Sequence, residues 1–425
     1  MKRLLILTSK LGYQARGYAE AARALGAEVV FGSDRCQQLD DPWQDGAVAL
    51  QFENPEEAAT RIAAAASDRP VDAILALGDA PTEAAAMAAH VLGLRSNPPE
   101  AVARCRNKAL QRAAMQAAHL PMPSFFSFAT DEDLLAVASR ILFPCVVKPL
   151  ALAASQGVIR ANNPQEFFAA VARIRALLES PPVQATRNRA LGHLLVEDYI
   201  PGQEVAVEGL VTGGRLRVLA IFDKPDAGEG PFFEETIYVT PSRLPARVQS
   251  SIIECAQRTV GALGLTHGPV HAEFRVNNDG PWVLEAAPRP IGGLCSRALR
   301  FGPQRIALEE LVVRRALGED VAHLQREPDA SGVMMIPVPR SGIFEKVEGI
   351  DDAARTPGVW SVEITARLHD PILAWPEGSS YLGFIFARGD RPEDVELALR
   401  SAHSKLGFTI TPELPVEHPQ TKKGS

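Results

Sequence analysis

The chain of 425 residues is 46% hydrophobic and 22% charged, with a formal net charge of −7. That balance excludes a disordered or fibrous chain, and a mild negative charge without a long basic run argues against nucleic acid as a partner. At about 100–200 residues per domain, the length predicts two to four domains.

Five cysteines, Cys36, Cys105, Cys145, Cys255 and Cys295, are scattered without CxxC spacing. They predict neither structural zinc nor a disulfide framework, and they fit a reducing cytosol. The apolar run after Met1-Lys2-Arg3 is only Leu4–Leu7, too short for a secretory leader, and no window reaches the ~18 apolar residues of a membrane span. A cytoplasmic protein with no membrane partner is expected.

Leu4–Thr8 reads as a strand, Ala15–Leu25 as a helix ended by Gly26, Glu28–Phe31 as a second strand and Val71–Leu77 as a later one before Gly78-Asp79. Nearly continuous apolar strands imply a parallel sheet covered on both faces. The turn after the first strand, Thr8-Ser9-Lys10-Leu11-Gly12-Tyr13, lacks G-x-G-x-x-G, so this unit is expected to be a scaffold bordering the site rather than a dinucleotide binder. From Asn97-Pro98-Pro99 the pattern changes. Glu100–His119 reads as one helix, Cys145–Lys148 as a strand, Pro164–Leu178 as a helix and Leu194–Ile200 as a strand. Gln203–Val211 and Arg215–Phe222 form a hairpin around Gly213-Gly214. Pro245–Leu263 is a helix, His271–Val276 and Trp282–Ala286 pair around Asn277-Asn278-Asp279-Gly280, and Pro303–Leu317 is helical. Glu319–Ser331 reads as a polar linker, followed by short strands and the helix Glu393–Leu406, and the tail from Pro412 is expected to be disordered.

Glu273 and Glu285 stand in otherwise apolar strands of one hairpin. Side chains alternate along a strand, so their faces depend on register. Pairing of Val276 with Trp282 puts both carboxylates on one face, whereas a two-residue turn at Asp279-Gly280 puts them on opposite faces. Two apposed carboxylates repel unless a proton or cation lies between them, and hard oxygen donors suit Mg²⁺ shared with phosphates. Arg289 follows four residues later in Pro288-Arg289-Pro290-Ile291-Gly292-Gly293, where an arginine could neutralise a phosphate oxygen and the glycines permit close approach. Lys148 closes an apolar strand, and Ser155-Gln156-Gly157 is a small-residue turn that could cover phosphates with backbone N–H groups. No G-x-x-x-x-G-K-[ST] occurs, which excludes a Walker-type NTPase. At Glu197-Asp198-Tyr199-Ile200 the chain turns from one strand into another, where backbone groups could read an adenine edge and Glu204 a ribose hydroxyl pair. His271 is equally readable as a core residue or a substrate contact.

The order Lys108, Lys148, small-residue loop, Val196-Glu197-Asp198-Tyr199-Ile200-Pro201-Gly202-Gln203-Glu204, Glu273, Glu285, Arg289 resembles the ATP-grasp superfamily over about residues 1–410. The resemblance implies an α/β chain, α+β overall. It would comprise an N-terminal Rossmann-like pre-ATP-grasp domain (1–105), an ATP-grasp domain (106–322), a small C-terminal α+β unit (330–412) and a flexible tail (413–425). It implies ATP on Lys108, Lys148, Ser155, Gln156, Gly157, Glu197, Asp198, Tyr199, Ile200 and Glu204, and Mg²⁺ or Mn²⁺ on Glu273 and Glu285. Arg289, His271, Gly292 and Gly293 would serve the reacting group, with Glu234, Glu235, Leu294 and Arg297 as candidates for the amino-acid ends and pocket wall. Many members carry an Asn ligand where this chain has Ala287, a replacement shared with the branch that resembles L-amino-acid ligases, which join two amino acids. The Gly-Pro-Phe-Phe-Glu-Glu-Thr run (230–236) also resembles that branch. The expected activity is ATP-dependent carboxylate–amine ligation through an acyl-phosphate, with small amino acids as partners and a homodimer allowed. A purine-pathway or biotin-carboxylase-like ligase and a non-catalytic nucleotide-binding regulator are the alternatives.

Overall fold

A computed structural model describes the chain except for residues 10–11, 35–46, 227–229, 231, 234–235 and 413–425. The expected tail, the candidates Glu234 and Glu235, and Cys36 lie outside the described residues. The other four cysteines are buried and form no disulfide among the described residues.

The N-terminal strands Arg3–Thr8, Glu28–Ser33 and Ala73–Leu77 pair in parallel, with Arg3–Thr8 in the middle and the short Val48–Ala49 at one edge. Why Leu4–Leu7 is apolar at every position is visible in its packing. Leu4 and Ile6 share a core with Tyr18 of the helix Tyr13–Ala24, while Leu5 and Leu7 face Ile62, Ala84 and Ala88 on the other side.

The helix expected over Glu100–His119 is two helices, Pro99–Arg106 and Lys108–Ala117. Asn107 separates them: its backbone is extended and its side chain accepts from the N–H groups of Ala109 and Leu110, capping the second helix. The break turns Lys108, Gln111, Arg112 and Met115 inward, at the i, i+3, i+4, i+7 spacing of a buried face.

Two antiparallel sheets enclose the centre of the molecule. One has the order Phe125–Ala129, His193–Asp198, Cys145–Pro149, Ile159–Ala161, backed by Phe167, Val171 and Ile174 of the helix Pro164–Leu178. The other runs, among the described residues, through eight strands: Gly280–Ala287, His267–Asn277, Gln203–Thr212, Arg215–Lys224, Ile237–Thr240, Ala330–Ile336, Gly383–Gly389 and Val359–Ile364. Ala330–Ile336 hydrogen-bonds to Ile237–Thr240, so the C-terminal strands continue the same sheet.

Two further expectations are corrected. The helix read at Pro303–Leu317 spans Leu308–Ala316, because Gly302 and Arg305 adopt left-handed conformations and Ile306–Ala307 pairs with Arg300–Phe301. Glu319–Ser331 is not a free linker: Val321 and Leu324 anchor it in the core, Arg326 bridges to Phe301, and its last two residues are already strand.

The two sheets are joined at Pro201-Gly202. Gly202 has φ +126°, and a β-carbon there would lie 2.2 Å from the carbonyl oxygen of Val276. Gly202→Ala is expected to cost about 2–4 kcal/mol and to lower the thermal unfolding midpoint. A midpoint equal to that of the unaltered protein would contradict this packing.

Candidate active site

A cleft of about 420 Å³ opens between the two sheets and the carboxyl edge of the N-terminal sheet. Lys108, Lys148, Ser155, Glu197, Asp198, Tyr199, Ile200, Glu204, His271, Glu273, Glu285, Arg289, Gly292 and Gly293 all line it. Residues from positions 108 to 293 thus meet in one place.

The carboxylate pair owes its geometry to a turn and a bulge. Asn277 pairs with Gly280, so the hairpin turns on Asn278-Asp279, and this register continues to Phe274 opposite Val283. Left alone, it would set Glu285 out of step with Glu273. A bulge at Leu284 adds one residue to the outer strand, and beyond it Glu273 pairs directly with Glu285 and His271 with Ala287. Neither turn considered from the sequence is the one adopted, yet both carboxylates do share a face.

The bulged strand lies at the edge of its sheet, and side chains of the helix Lys108–Ala117 hold it there. The Gln111 amide donates to the carbonyl of Ala286 at 2.9 Å and accepts from its N–H at 3.0 Å. Arg112 donates to the Leu284 carbonyl at 2.6 Å and, through Nε, to Glu197 Oε1 at 2.7 Å. Lys148 Nζ lies 2.7 Å from the other oxygen of Glu197. Burial would raise the Glu197 pKa, but Arg112 and Lys148 hold it down at about 2. Glu197 therefore faces the two cations, and burial lowers the Lys148 pKa against the pull of Glu197.

Glu204 is similarly engaged. Lys224 bonds one of its oxygens and Arg275 Nε donates to the other at 3.1 Å, so the carboxylate expected on a ribose is first an anchor for two buried cations. The N–H groups of Asp198 and Tyr199 donate to the carbonyls of Ser124 and Pro144, and the Ile200 carbonyl accepts from Arg275. The guanidiniums of Arg160 and Arg275 lie 4.0 and 5.1 Å from the centre of the Tyr199 ring.

His271 links two acids: Nδ1 is 3.1 Å from the fully buried Glu208 and Nε2 is 3.5 Å from Glu273. Burial would lower its pKa, but the hydrogen bonds to Glu208 and Glu273 raise it to about 9. Arg289 Nε donates to Asp79 Oδ1 at 3.0 Å, and Gly293 has φ +62° with the Phe384 ring 3.0 Å from where a β-carbon would sit.

Four candidates fall elsewhere. Gln156 and Gly157 bond the carbonyls of Glu377 and Pro376, so they face the turn at residues 375–377 and not the cleft. Leu294 is packed in the main core beside Phe384, since the left-handed Gly293 turns the chain inward. Arg297 pairs with Glu363 over the rings of Trp360 and Phe386. Missed from the sequence were Gln111, Arg112, Lys224, Arg275, Glu208 and Asp79. The signal was polar residues at the buried spacing of a helix, and single charges inside apolar strands.

Three family models match: an ATP-grasp domain at residues 141–298, an ATP-grasp N-terminal domain at 19–96 and an L-amino acid ligase C-terminal domain 2 at 334–411. The chain belongs to the ATP-grasp superfamily. An L-amino acid ligase from Bacillus licheniformis superposes with a TM-score of 0.82 at 28% identity, covering 97% of this chain and 99% of that one. An alanine–anticapsin ligase of Bacillus amyloliquefaciens is 29% identical over 56% of this chain and 52% of its own. An uncharacterised protein, y4rH, of Sinorhizobium fredii (strain NBRC 101917 / NGR234) is 26% identical over 74% of this chain and 63% of its own. The chain thus spans about half to two thirds of the length of these curated relatives. Purine-pathway synthetases superpose at 14–16% identity, which shows the fold alone. No helix among the described residues is long and apolar enough to cross a membrane.

ATP-grasp proteins use Mg²⁺ with their nucleotide, and the donor set here fits that ion. Among the described residues no three acid, histidine or cysteine side chains cluster as a complete cage. Glu273 and Glu285 face the cleft, with counter-charges only at 3.5–3.6 Å, from Lys108 to Glu285 and from His271 and Lys224 to Glu273. Two hard carboxylates completed by phosphate and water match the habit of Mg²⁺.

The depressed Glu197 pKa sets an acid limit on stability. Between its ordinary 4.5 and about 2 the unfolded chain binds the proton and the folded chain does not, so stability rises with pH across that window. The contribution is about 3 kcal/mol, present above pH 4.5 and lost toward pH 2. Denaturation midpoints measured across that range are expected to fall with acid in the unaltered protein and to lose this component in Glu197→Gln.

Proposed function

We propose that this protein is an ATP-dependent carboxylate–amine ligase that joins two amino acids, releasing ADP and phosphate. The observation that carries the reading is the pairing of Glu273 with Glu285 in a cleft that also holds Lys108, Lys148 and Arg289. Three cations facing two carboxylates suit a polyphosphate with its metal. The match of residues 334–411 and the likeness to a solved L-amino acid ligase support amino acids over a purine-pathway or biotin-carboxylase-like substrate. A cleft holding acids, lysines and arginine together supports catalysis over passive nucleotide binding.

In this reading a substrate carboxylate oxygen attacks the γ-phosphorus of ATP, the bond to the β-phosphate oxygen breaks and ADP leaves. The amine of the second substrate, having lost its proton, attacks the acyl carbon of the resulting acyl-phosphate and expels phosphate, leaving the amide. Lys108 and Lys148 take the α- and β-phosphates, and Lys148 is held in place by Glu197. Arg289 meets the transferred phosphoryl group, and the Gly292-Gly293 turn lies beside the acyl group with no side chain to obstruct it. Glu273 and Glu285 would hold Mg²⁺ or Mn²⁺, which supplies charge neutralisation to the phosphates when bound. The protein's own work is alignment and electrostatic stabilisation.

Phosphate release measured across single and paired amino acids, followed by product mass, tests the reading. A pair-dependent release with a product whose mass is that of the two amino acids less one water is expected; no release with any amino acid, alone or paired, sinks it. Glu285→Ala is expected to lower turnover by about a hundredfold or more. Near-normal activity would remove the metal assignment.

A further inference from the structure

The parallel sheet of the N-terminal domain ends at the cleft, and two side chains beyond its carboxyl edge reach the Arg289–Gly293 segment. Asp79 follows the strand Ala73–Leu77 through the left-handed Gly78, and its carboxylate receives Arg289 Nε at 3.0 Å. Gln14 lies in the first turn of the helix after the strand Arg3–Thr8, and its amide donates to the Ile291 carbonyl at 3.0 Å. Open α/β sheets use this edge for ligands, and here it meets a segment of another domain.

We propose that Asp79 and Gln14 are positioning residues, which aim Arg289 and the Ile291–Gly293 turn at the phosphoryl and acyl groups. The inference rests on the proposed role of Arg289 as the group that meets the transferred phosphoryl.

Arg289 spends Nε on Asp79 and Nη1 on the carbonyl of Pro290. Among the described residues no acceptor engages Nη2, the amino group left for a phosphate oxygen. Without Asp79 the guanidinium would lose the contact that fixes its plane, and a planar fork misaligned by a rotamer no longer matches phosphate geometry. Burial would raise the Asp79 pKa, but Arg289 and Arg106 hold it down at about 2, so the carboxylate stays charged at neutral pH.

The Ile291 peptide groups are gripped from both sides. Its N–H donates to Glu208 at 3.2 Å and its carbonyl accepts from Gln14. In a trans peptide the carbonyl of one residue and the N–H of the next point in opposite directions. Gln14, by holding the Ile291 carbonyl, therefore also sets the direction of the Gly292 N–H. Two contacts from one domain orient a charged group and a backbone donor of the other.

The test is made on the full chain with MgADP alone and MgADP plus aluminium fluoride, which imitates the phosphoryl group in transit. Asp79→Asn is expected to bind MgADP within about twofold of the unaltered protein and to lose about tenfold or more of the added affinity given by aluminium fluoride. Arg289→Gln should show the same selective loss, and the double variant should be no worse than Arg289→Gln, because Asp79 acts through Arg289. Gln14→Ala, which removes one hydrogen bond at the surface of a helix, should show a smaller loss in the same direction and provides the readout if Asp79→Asn does not fold.

Equal losses for MgADP and its fluoroaluminate complex, additive losses in the double variant, or unchanged fluoroaluminate binding would overturn the proposal. Absence of any fluoroaluminate enhancement in the unaltered protein would overturn it as well, by removing Arg289 from the phosphoryl group. If the unaltered protein releases no phosphate with amino acids yet these variants lose fluoroaluminate selectively, the amino-acid reading falls and the positioning role stands.

Discussion

Much of this site depends on one buried guanidinium. Arg112 is 2% exposed, and it joins the Glu197 carboxylate of one sheet to the Leu284 carbonyl of the other. A buried charge of this kind is tolerated only with its counter-charge and hydrogen bonds supplied, and removing one partner costs far more than the pair contributes. Glu197 in turn holds Lys148, and Leu284 is the bulged residue that brings Glu285 opposite Glu273. A single side chain thus couples Lys148 of one sheet to the carboxylate register of the other.

The rest of the cleft follows the same rule of buried charges satisfied in chains. Lys224 lies between Glu204 and Glu273, Arg275 joins Glu204 to the Ile200 carbonyl, and His271 joins Glu208 to Glu273. These contacts orient the acids before any ligand arrives, which is how an active site avoids rearranging its own dipoles during reaction. The segment 151–157 is held differently. Ala154 and Ser155 both have φ +54°, an unfavourable region for residues with side chains, and the Ala154 carbonyl accepts from Trp375 Nε1. Together with the bonds of Gln156 and Gly157, and the Arg173–Glu377 pair, this ties the small-residue turn to the turn at residues 375–377.

Much of the fold was legible because periodicity reports burial. The apolar run Leu4–Leu7, the alternation on both sides of Gly213-Gly214 and the spacing in Pro164–Leu178 each became the element they imply. The failures have local causes. Asn107 broke a helix because a short polar side chain can cap the backbone, which periodicity does not register. Val321 and Leu324 were too few to outweigh the charges around them, yet each is buried. For the site, carboxylates and lysines stood out against apolar neighbours, so Glu273, Glu285 and Lys148 were readable. Arg112 and Gln111 were not singled out, since a helix of Lys, Gln and Arg looks like a solvated face until tertiary structure turns it inward. Asp79 and Gln14 act on residues some 210 and 277 positions away, a relation that only the fold can create.

The amide of Gln111 occupies the place a neighbouring strand would take along Gly280–Ala287, meeting both the N–H and the carbonyl of Ala286. An unpaired strand edge is a template for another chain, and proteins commonly blunt it. Here the blunting falls on the edge that carries Glu285, with the Pro121 carbonyl accepting from Val283 beside it. The carboxylate strand is therefore closed to strand exchange and to edge-on self-association. Among the described strands, the opposite edge of the sheet is Val359–Ile364.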